Sequence, residues 1–164
     1  MIEIVRIPEQ RKGALIGKNG SVRKELEKKT HTSLTVNDDV EIDGEALDVL
    51  KAKEIVKAIG RGFAPDKALK LMHDDFRLDV ISLGDASEKK AERLLSRIIG
   101  RDGKCRHTLE TLTKTDICVL GKTVSIIGRW DDVDRAGEAI SLLIKGKTHA
   151  YVYRCLEEGK NEES

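Results

Sequence analysis

Aromatic residues, prolines and long apolar runs are all scarce in this sequence of 164 residues. Aromatic side chains make up 3% of the chain and there are two prolines, whereas charged residues make up 36%. No apolar run approaches the roughly 20 residues of a membrane-spanning helix, and the first residues lack the apolar core of a secretory signal. The length argues against a large catalytic core with a separate cofactor domain. We therefore expect a soluble, helix-rich protein of one or two small domains.

Cysteine and histidine are also sparse, and neither forms a metal-binding pattern. Cys105, Cys118 and Cys155 are an odd number of thiols without a C-x-x-C pair, and the four histidines are not paired at ligand spacing. This pattern predicts neither a disulfide framework nor a zinc site. We expect free thiols in a reducing compartment, which indicates a cytoplasmic protein with no metal and no cofactor.

Basic residues are concentrated in two segments, although the net charge is only +1. Residues 11–24 contain five basic residues and no acidic one, and residues 97–107 contain four basic residues against one acid. Acidic residues collect elsewhere, notably in residues 38–45. Local basic patches in a near-neutral chain suit a protein that contacts a polyanion at defined sites. Charge alone leaves open that both segments are only solvated faces.

An internal repeat organises the chain. The sequence IGKNG of Ile16–Gly20 recurs 83 positions later as IGRDG in Ile99–Gly103. Further matches follow at this spacing and, after one inserted residue, at a spacing of 84: Leu26 with Leu109, Glu27 with Glu110, Thr30 with Thr113, Thr32 with Thr115, Val40 with Val124, Ile42 with Ile126 and Gly44 with Gly128. The chain therefore contains two copies of one module.

Each copy has the same predicted order of elements, β-α-α-β-β-α. The first copy opens with a strand that alternates around Ile2, Ile4 and Val5 and ends at Pro8. Both copies then predict a helix, a glycine loop, a second helix, a hairpin and a final amphipathic helix. This order predicts an α+β fold of two tandem modules, each a three-stranded antiparallel sheet with helices on one face.

The segments outside the repeat set the predicted domain boundaries. Residues 1–62 form the first module and residues 76–146 the second. Residues 63–75 are predicted as a connecting helix that begins at Pro65, because proline is favoured in the first turn. Residues 147–164 are predicted as a C-terminal helix followed by a polar tail.

The G-x-x-G pattern predicts a loop that contacts phosphate groups. Gly17 and Gly20 let the backbone turn tightly and approach a phosphate without a Cβ atom in the way. The amides and the positive dipole end of the next helix favour anions, and Lys18 and Arg101 add charge. In the KH modules that this loop and its flanking elements resemble, apolar residues of the following strand line a groove for about four unpaired bases. The predicted RNA-binding residues are Gly17, Lys18, Asn19, Gly20, Val22, Arg23, Leu34 and Val36 in the first module, and Arg97, Ile99, Gly100, Arg101, Asp102, Gly103, Lys104, Arg106, Ile117 and Val119 in the second.

Competing interpretations of these motifs fail on detail. Residues 13–19 resemble a P-loop, but they have three residues between the glycines instead of four and end in asparagine. An RNA-recognition motif needs stacking aromatics on its strands, and the predicted strands have none. No nucleophile–base pair is recognisable, so we predict no catalytic residue and no enzyme. Trp130 is predicted as a packing residue, and most groove residues are also compatible with a plain core role.

Two G-x-x-G loops in this order of elements resemble the type I KH family. The segment Ile59–Pro65, with the sequence IGRGFAP, and the segment Gly121–Gly128, with the sequence GKTVSIIG, are more specific. They resemble the archaeal two-KH proteins of ribosomal RNA processing. The eukaryotic relatives of that family are small-subunit assembly factors that partner the endonuclease maturing the rRNA 3′ end.

The resemblance implies an assembly factor that binds single-stranded RNA in the 3′ region of small-subunit rRNA or its precursor. Such a factor presents this RNA to processing or modifying enzymes, and Gly100–Lys104 inherit the main contact. The rRNA-maturing endonuclease and a translation initiation factor are the candidate protein partners, and no membrane is implied. The alternative is a translation-linked KH protein that binds mRNA or an initiation factor. Asp102, an acid in the loop, departs from the expected pattern, whereas the intact Gly17–Gly20 loop favours RNA binding by the first module as well.

Overall fold

Two three-stranded antiparallel sheets, each packed against helices, contain all the strands of residues 1–163, the part of the chain that this computed structural model describes. Their contacts divide the chain into two units, Met1–Phe76 and Arg77–Ser164. The α+β architecture predicted from the repeat is confirmed.

The first unit follows the predicted order of elements and adds a short connector. Its elements are β1 (Ile2–Val5), α1 (Glu9–Ile16), α2 (Ser21–Thr30), β2 (Ser33–Val36), β3 (Val40–Asp43), α3 (Ala46–Gly60) and α4 (Pro65–Ala68), with 3₁₀ turns at Lys18–Gly20 and Leu69–Met72. The connector is therefore one α-helical turn and one 3₁₀ turn, not the single helix expected from the sequence. Its apolar residues Ala68 and Leu71 are buried, which explains why the segment folds.

The second unit repeats this order and ends in a long helix. Its elements are β4 (Phe76–Ser82), α5 (Glu88–Ile99), α6 (Lys104–Thr113), β5 (Asp116–Leu120), β6 (Thr123–Arg129), α7 (Trp130–Ile144) and α8 (His149–Glu163), with a 3₁₀ turn at Arg101–Gly103. Helix α5 starts at an N-cap, where the Ser87 hydroxyl accepts a hydrogen bond from the Lys90 amide.

The C-terminal helix is longer than the sequence suggested. A helix followed by a polar tail was expected in residues 147–164, but α8 continues to Glu163, and Ser164 lies outside the described residues. Val152 and Leu156 are buried, one helical turn apart, and they hold α8 against the module. No helix among the described residues combines the length and the apolar character of a membrane span.

The last strand of each module lies in the middle of its sheet. The strand orders are β1-β3-β2 and β4-β6-β5, so β2 and β5 are edge strands. Leu34 pairs opposite Ile42, and Ile117 pairs opposite Ile126. The edge strands β2 and β5 also contact α2 and α6, the helices that follow the glycine loops.

A pair of buried threonines links these helices to the strands in both modules. The Thr30 hydroxyl lies 2.6 Å from the Leu26 carbonyl oxygen and 2.7 Å from the Thr32 hydroxyl. Thr113 makes the same contacts, at 2.6 Å with Leu109 and 2.7 Å with Thr115. Because buried hydroxyls must be hydrogen-bonded, this pairing explains why the threonines recur in the repeat.

Strand β1 presents its side chains differently from the sequence expectation. Val5 is buried, but Ile2 and Ile4 are 58% and 62% exposed, because they lie on the opposite face of the strand. Glu3 points to the helical side instead, where its carboxylate lies 3.4 Å from the Lys53 ammonium group. The predicted strand is confirmed, but its apolar residues are divided between the two faces, since successive side chains of a strand face opposite ways.

Candidate nucleic-acid interface

The two glycine loops have nearly identical backbone conformations. Gly17 and Gly100 have φ/ψ angles of 72°/177° and 76°/175°, a region essentially restricted to glycine. A Cβ atom on Gly17 would lie 2.4 Å from Cγ2 of Val22, and one on Gly100 would lie 2.6 Å from Cβ of Cys105. The first glycine is therefore required by conformation and by its close approach to the next helix.

The third loop position is left-handed in both modules, which accounts for the acid in the second loop. Asn19 has a φ of 57° and Asp102 a φ of 55°. Asparagine and aspartate are the non-glycine residues that adopt this conformation most readily. Asp102 makes no ion pair with any residue that the structure describes, so its charge stays exposed in the loop.

The second glycine faces open space beside an arginine. A Cβ atom on Gly20 or Gly103 would meet only the distant ends of long side chains, 3.9 Å or more away. The nearest of these are the Nη2 atoms of Arg23 and Arg106. Lys18 and Arg101 are exposed next to the glycines, so the surface of each loop carries cations and backbone groups.

A cleft of about 320 Å³ lies on the apolar side of α5 in the second module. Its walls bring the predicted residues Ile99 and Val119 together, from α5 and from the β5–β6 hairpin. Leu95 adds to the apolar surface and Lys122 contributes a cation at the hairpin turn. Glu88 and Glu92 also line this cleft, and its apolar part offers contact to an unstacked base.

Several predicted groove residues lie deeper than expected. Leu34 and Ile117 are both 2% exposed, so their side chains support the groove from below and belong to the core. Val22 and Val36 in the first module are partly exposed, as Ile99 and Val119 are in the second. We therefore correct the prediction for Leu34 and Ile117. Their side chains support the groove instead of contacting RNA.

An arginine–glutamate pair occupies the free edge of β2 in the first module. The Leu34 amide donates a hydrogen bond to Oε2 of Glu27 at 3.0 Å. The Leu34 carbonyl oxygen accepts one from Nη1 of Arg23 at 3.3 Å. Arg23 and Glu27 are themselves 3.4 Å apart, one helical turn from each other on α2.

The same arrangement recurs at β5. The Ile117 amide donates to Oε2 of Glu110 at 2.9 Å, and Nη1 of Arg106 donates to the Ile117 carbonyl oxygen at 3.2 Å. Arg106 and Glu110 are 3.6 Å apart. The repeat aligned the two glutamates but gave them no role, because their partners are backbone atoms seven residues away.

Arg97 has a structural role that the sequence did not predict. Its guanidinium donates to the carbonyl oxygens of Leu143 at 3.0 Å and Lys147 at 2.6 Å, where α7 ends. These bonds tie the end of α7 and the residues that follow it to α5. A contact between Arg97 and RNA stays a prediction.

Trp130 lies outside the core of the second module, whereas Tyr153 is partly buried against that core. Trp130 was expected to pack, but it is 56% exposed and the Arg77 guanidinium carbon lies 5.0 Å above its ring. Tyr153 of α8 stacks on His149 with a centroid distance of 6.1 Å. Burial, together with a hydrogen bond to the Cys105 thiol, raises the pKa of Tyr153 to about 12. Sequence reasoning missed this cluster because α8 lies outside the repeat.

Comparison with known proteins identifies the modules. Residues 77–161 match the model of the eukaryotic-type KH domain of type I, and residues 2–58 match the KH domain model. A KH domain-containing protein of Methanocaldococcus jannaschii is 44% identical over 165 residues, which cover 95% of this chain and 73% of that protein. The chain belongs to the two-KH family of archaeal Dim2 and eukaryotic PNO1. The expected resemblance is confirmed.

Other members of the Dim2/PNO1 family extend the comparison. The RNA-binding protein pno1 of Dictyostelium discoideum is 33% identical over 107 residues. The matched region covers 63% of this chain and 45% of that protein. The crystal structure of Dim2p from Pyrococcus horikoshii matches with a TM-score of 0.89 and 39% identity, covering 96% of this chain and 99% of that one. A chain of the a/eIF2α–aDim2p–rRNA complex from the same organism matches with a TM-score of 0.92 and 39% identity, covering 99% of this chain and 95% of that one.

Proposed function

We propose that this protein binds single-stranded RNA in the 3′ region of small-subunit rRNA or its precursor and presents it to processing or modifying enzymes. The observation that carries the proposal is the duplicated glycine loop. Each loop has its backbone in the same glycine-dependent conformation, exposes a cation and opens onto the N-terminus of a helix of ten residues. This arrangement suits phosphate groups, because unpaired amides and the helix dipole favour anions there.

The choice of unpaired RNA rests on the groove beside the loop. An apolar cleft such as that at Ile99 and Val119 contacts base faces, which a duplex hides in its stack. The choice of rRNA is supported by the family, since an rRNA is present in the Pyrococcus horikoshii complex and fungal relatives are named pre-rRNA-processing proteins. We further propose that the protein acts in the cytoplasm and has no catalytic activity of its own.

A binding experiment with matched RNAs tests the RNA-binding step. The full chain is titrated against a single strand from the rRNA 3′ region and against the same strand annealed to its complement. We expect tighter binding to the single strand, with a log–log salt slope of about −0.7 for each phosphate neutralised. Equal affinity for both would contradict the groove as the binding site.

A second candidate function is translation-linked binding of mRNA or an initiation factor. The presence of a/eIF2α in the Pyrococcus horikoshii complex favours it. Crosslinking in cell extract, followed by sequencing of the bound RNA, separates the two functions. Recovery of rRNA 3′ ends supports the first function, and recovery of mRNA without rRNA supports the second.

A further inference from the structure

Strand β4 forms the edge of the second sheet opposite β5, and a groove follows it. In the strand order β4-β6-β5 it has one neighbour, and no other strand of residues 1–163 pairs with its free edge. Two hollows adjoin it, one of about 400 Å³ beside Asp79 and Ile81 and one of about 310 Å³ beside Ser82 and Leu83. Both hollows reach Ile144 at the end of α7. Together they form a groove between β4 and α7, the β4–α7 groove.

The first module closes the matching place with an ion pair of its own. There the Lys53 ammonium group of α3 lies 3.4 Å from the Glu3 carboxylate of β1. At the spacing of 84 that relates the final helices, Lys53 corresponds to Gly137. A Cβ atom on Gly137 would lie 3.9 Å from Oδ2 of Asp79, so this glycine faces an acidic strand residue as Lys53 does. The second module therefore keeps the acid on the strand but lacks the lysine.

The groove carries negative charge that the described part of the chain leaves uncompensated. Asp134 is paired with the Arg77 guanidinium, but Asp79 and Glu138 make no ion pair within residues 1–163. Asp79 is partly buried, so salt screens its charge less than that of a fully exposed acid. A phosphate group would be repelled here, whereas a lysine or arginine side chain would be attracted. The charge therefore favours a cationic ligand over a nucleic acid.

The second hollow adds an apolar contact at a distance that suits an extended chain. Its walls include the side chains of Leu83, Leu94 and Ile144. A strand rises about 3.4 Å per residue and turns alternate side chains to the same face, so two such side chains are about 7 Å apart. A strand laid along β4 can therefore direct one side chain to Asp79 and another, on the same face, to the hollow at Ile144.

We propose that the β4–α7 groove binds an extended basic segment of a partner protein, which adds a strand to the free edge of β4. Strand addition is a recurring mode of peptide recognition, in which backbone hydrogen bonds give affinity and the alternate side chains give specificity. A lysine or arginine of the segment reaches Asp79 and Glu138, and an apolar residue two positions away fills the hollow at Ile144. The inference goes beyond the proposed function, because the RNA groove lies at the opposite edge of the sheet.

A peptide selection on the full chain tests this pattern. Random peptides of eight residues, displayed on phage, are selected against the wild type, and the most enriched sequence is synthesised with a fluorophore. Its affinity is measured for the wild type and for four variants: Gly137→Lys, Asp79→Asn and the controls Gly159→Lys and Glu41→Gln. Gly137→Lys places in the second module the lysine that the first module has at Lys53. The controls make the same exchanges on α8 and on the exposed side of β3.

The variants should separate the contribution of the groove from that of charge in general. We expect enriched peptides to share a basic and an apolar residue two positions apart. Gly137→Lys should weaken binding at least tenfold, because the new side chain fills the groove and neutralises Asp79. Asp79→Asn should weaken it several-fold and reduce its salt dependence. Both controls should leave the affinity unchanged, and circular dichroism checks that every variant is folded.

A measurement on the wild type alone tests the added strand. Only alternate amides of an edge strand bond to its neighbour, so N-methylation of the peptide at successive positions should weaken binding strongly at every second residue. Uniform effects of N-methylation, selected peptides without the pattern or an affinity that Gly137→Lys leaves unchanged would each overturn the inference.

Two further outcomes would assign the groove to another occupant and would also overturn the inference. Displacement of the peptide by single-stranded RNA would place the peptide in the RNA groove. A dimer in light scattering that Gly137→Lys dissolves would give the edge of β4 to a second copy of the chain. Failure of the protein to bind single-stranded RNA would refute the proposed function and would leave the peptide test intact.

Discussion

The two modules share the backbone of the glycine loop, the buried threonine pair and the closed strand edge, but they differ in what surrounds these features. The first loop is uncharged at its third position, where the second carries Asp102. The second module also gains α8, with the stacked rings of His149 and Tyr153. The shared features are those that hold the loop and the groove in place. The differences are an acid within the second loop and an additional helix that packs against α6 and α7.

A pair of hydrogen bonds found in both modules shows that the modules agree more closely in geometry than in sequence. In the first module, Arg11 donates to the carbonyl oxygens of Ile59 at 2.8 Å and Phe63 at 3.0 Å. Arg97 makes the equivalent bonds in the second module to Leu143 and Lys147, 84 positions later. At the spacing of the first helices, however, Arg97 corresponds to Ala14, one helical turn after Arg11. In both modules an arginine of the first helix therefore binds the equivalent carbonyl groups, but it does so from a different position in that helix.

The largest expected effect tests whether the two cores are equivalent. Leu26 and Leu109 occupy matching positions and are 2% and 0% exposed. Leu26→Ala and Leu109→Ala should each lower the free energy of unfolding of their own module by about 2–5 kcal/mol. Urea denaturation measures the loss, with the 78% exposed Leu47 as the control, since Leu47→Ala should change little. A large loss in one module only would break the comparison.

The next largest effect distinguishes the roles of the two glycines in a loop. Gly100→Ala should lower RNA affinity about tenfold or more, because its conformation costs about 1–3 kcal/mol for alanine and the Cβ atom overlaps Cys105. Gly103→Ala meets open space and carries only the left-handed strain of about 1–2 kcal/mol. Fluorescence anisotropy with a single-stranded RNA measures both variants. A larger loss for Gly103→Ala would contradict the loop geometry.

Removing one loop cation compares the strength of the two RNA contacts. Lys18→Ala and Arg101→Ala should each weaken binding a few-fold and reduce the log–log salt slope by about 0.7. With an oligonucleotide from the rRNA 3′ end, we expect Arg101→Ala to cause the greater loss. Lys28→Ala, an exposed change at the far end of α2, is the control. A loss confined to Lys18→Ala would assign the rRNA contact to the first module.

The smallest effect concerns the third loop position, which can be exchanged without changing the backbone. Asp102→Asn should tighten RNA binding a few-fold, and Asn19→Asp should weaken it by a similar factor. A unit charge about 6 Å from a phosphate costs roughly 0.7 kcal/mol in a water-like dielectric. Titrations at low and high salt check this, with Glu157→Gln as a charge-matched control on α8. Weaker binding by Asp102→Asn at low salt would show that the acid supports the loop.

The sequence alone was sufficient to predict the features that recur at matching positions in the two modules. Matching glycines, threonines and apolar residues predicted the order of elements and both loops. The roles of Glu27 and Glu110 escaped prediction because a side chain that binds a strand backbone leaves no pattern of its own. Trp130 was misassigned because an aromatic residue at the start of a helix is equally compatible with the core and with a cation contact at the surface.

Burial could not be predicted at the edge of each sheet. Leu34 and Val36 alternate in the same way, yet only Leu34 is fully buried, and its backbone is the one that binds Arg23 and Glu27 of α2. Arg97 was predicted to contact RNA because it lies in a basic segment. Only the structure shows that the Arg97 guanidinium already binds carbonyl oxygens at and just after the end of α7.

The distribution of sulfur in the chain provides a selective probe of the second module. All three cysteines lie in the second unit, and Cys105 is 2% exposed behind the glycine loop. Burial raises the pKa of the Cys105 thiol, although its hydrogen bond with Tyr153 opposes the shift. A thiolate-directed reagent should therefore alkylate Cys105 only in molecules whose second module has opened. Cys118 and Cys155 are partly exposed, so labelling must be read at Cys105 itself. The labelling rate of Cys105 would follow the local opening of that module alone, in the presence or absence of RNA.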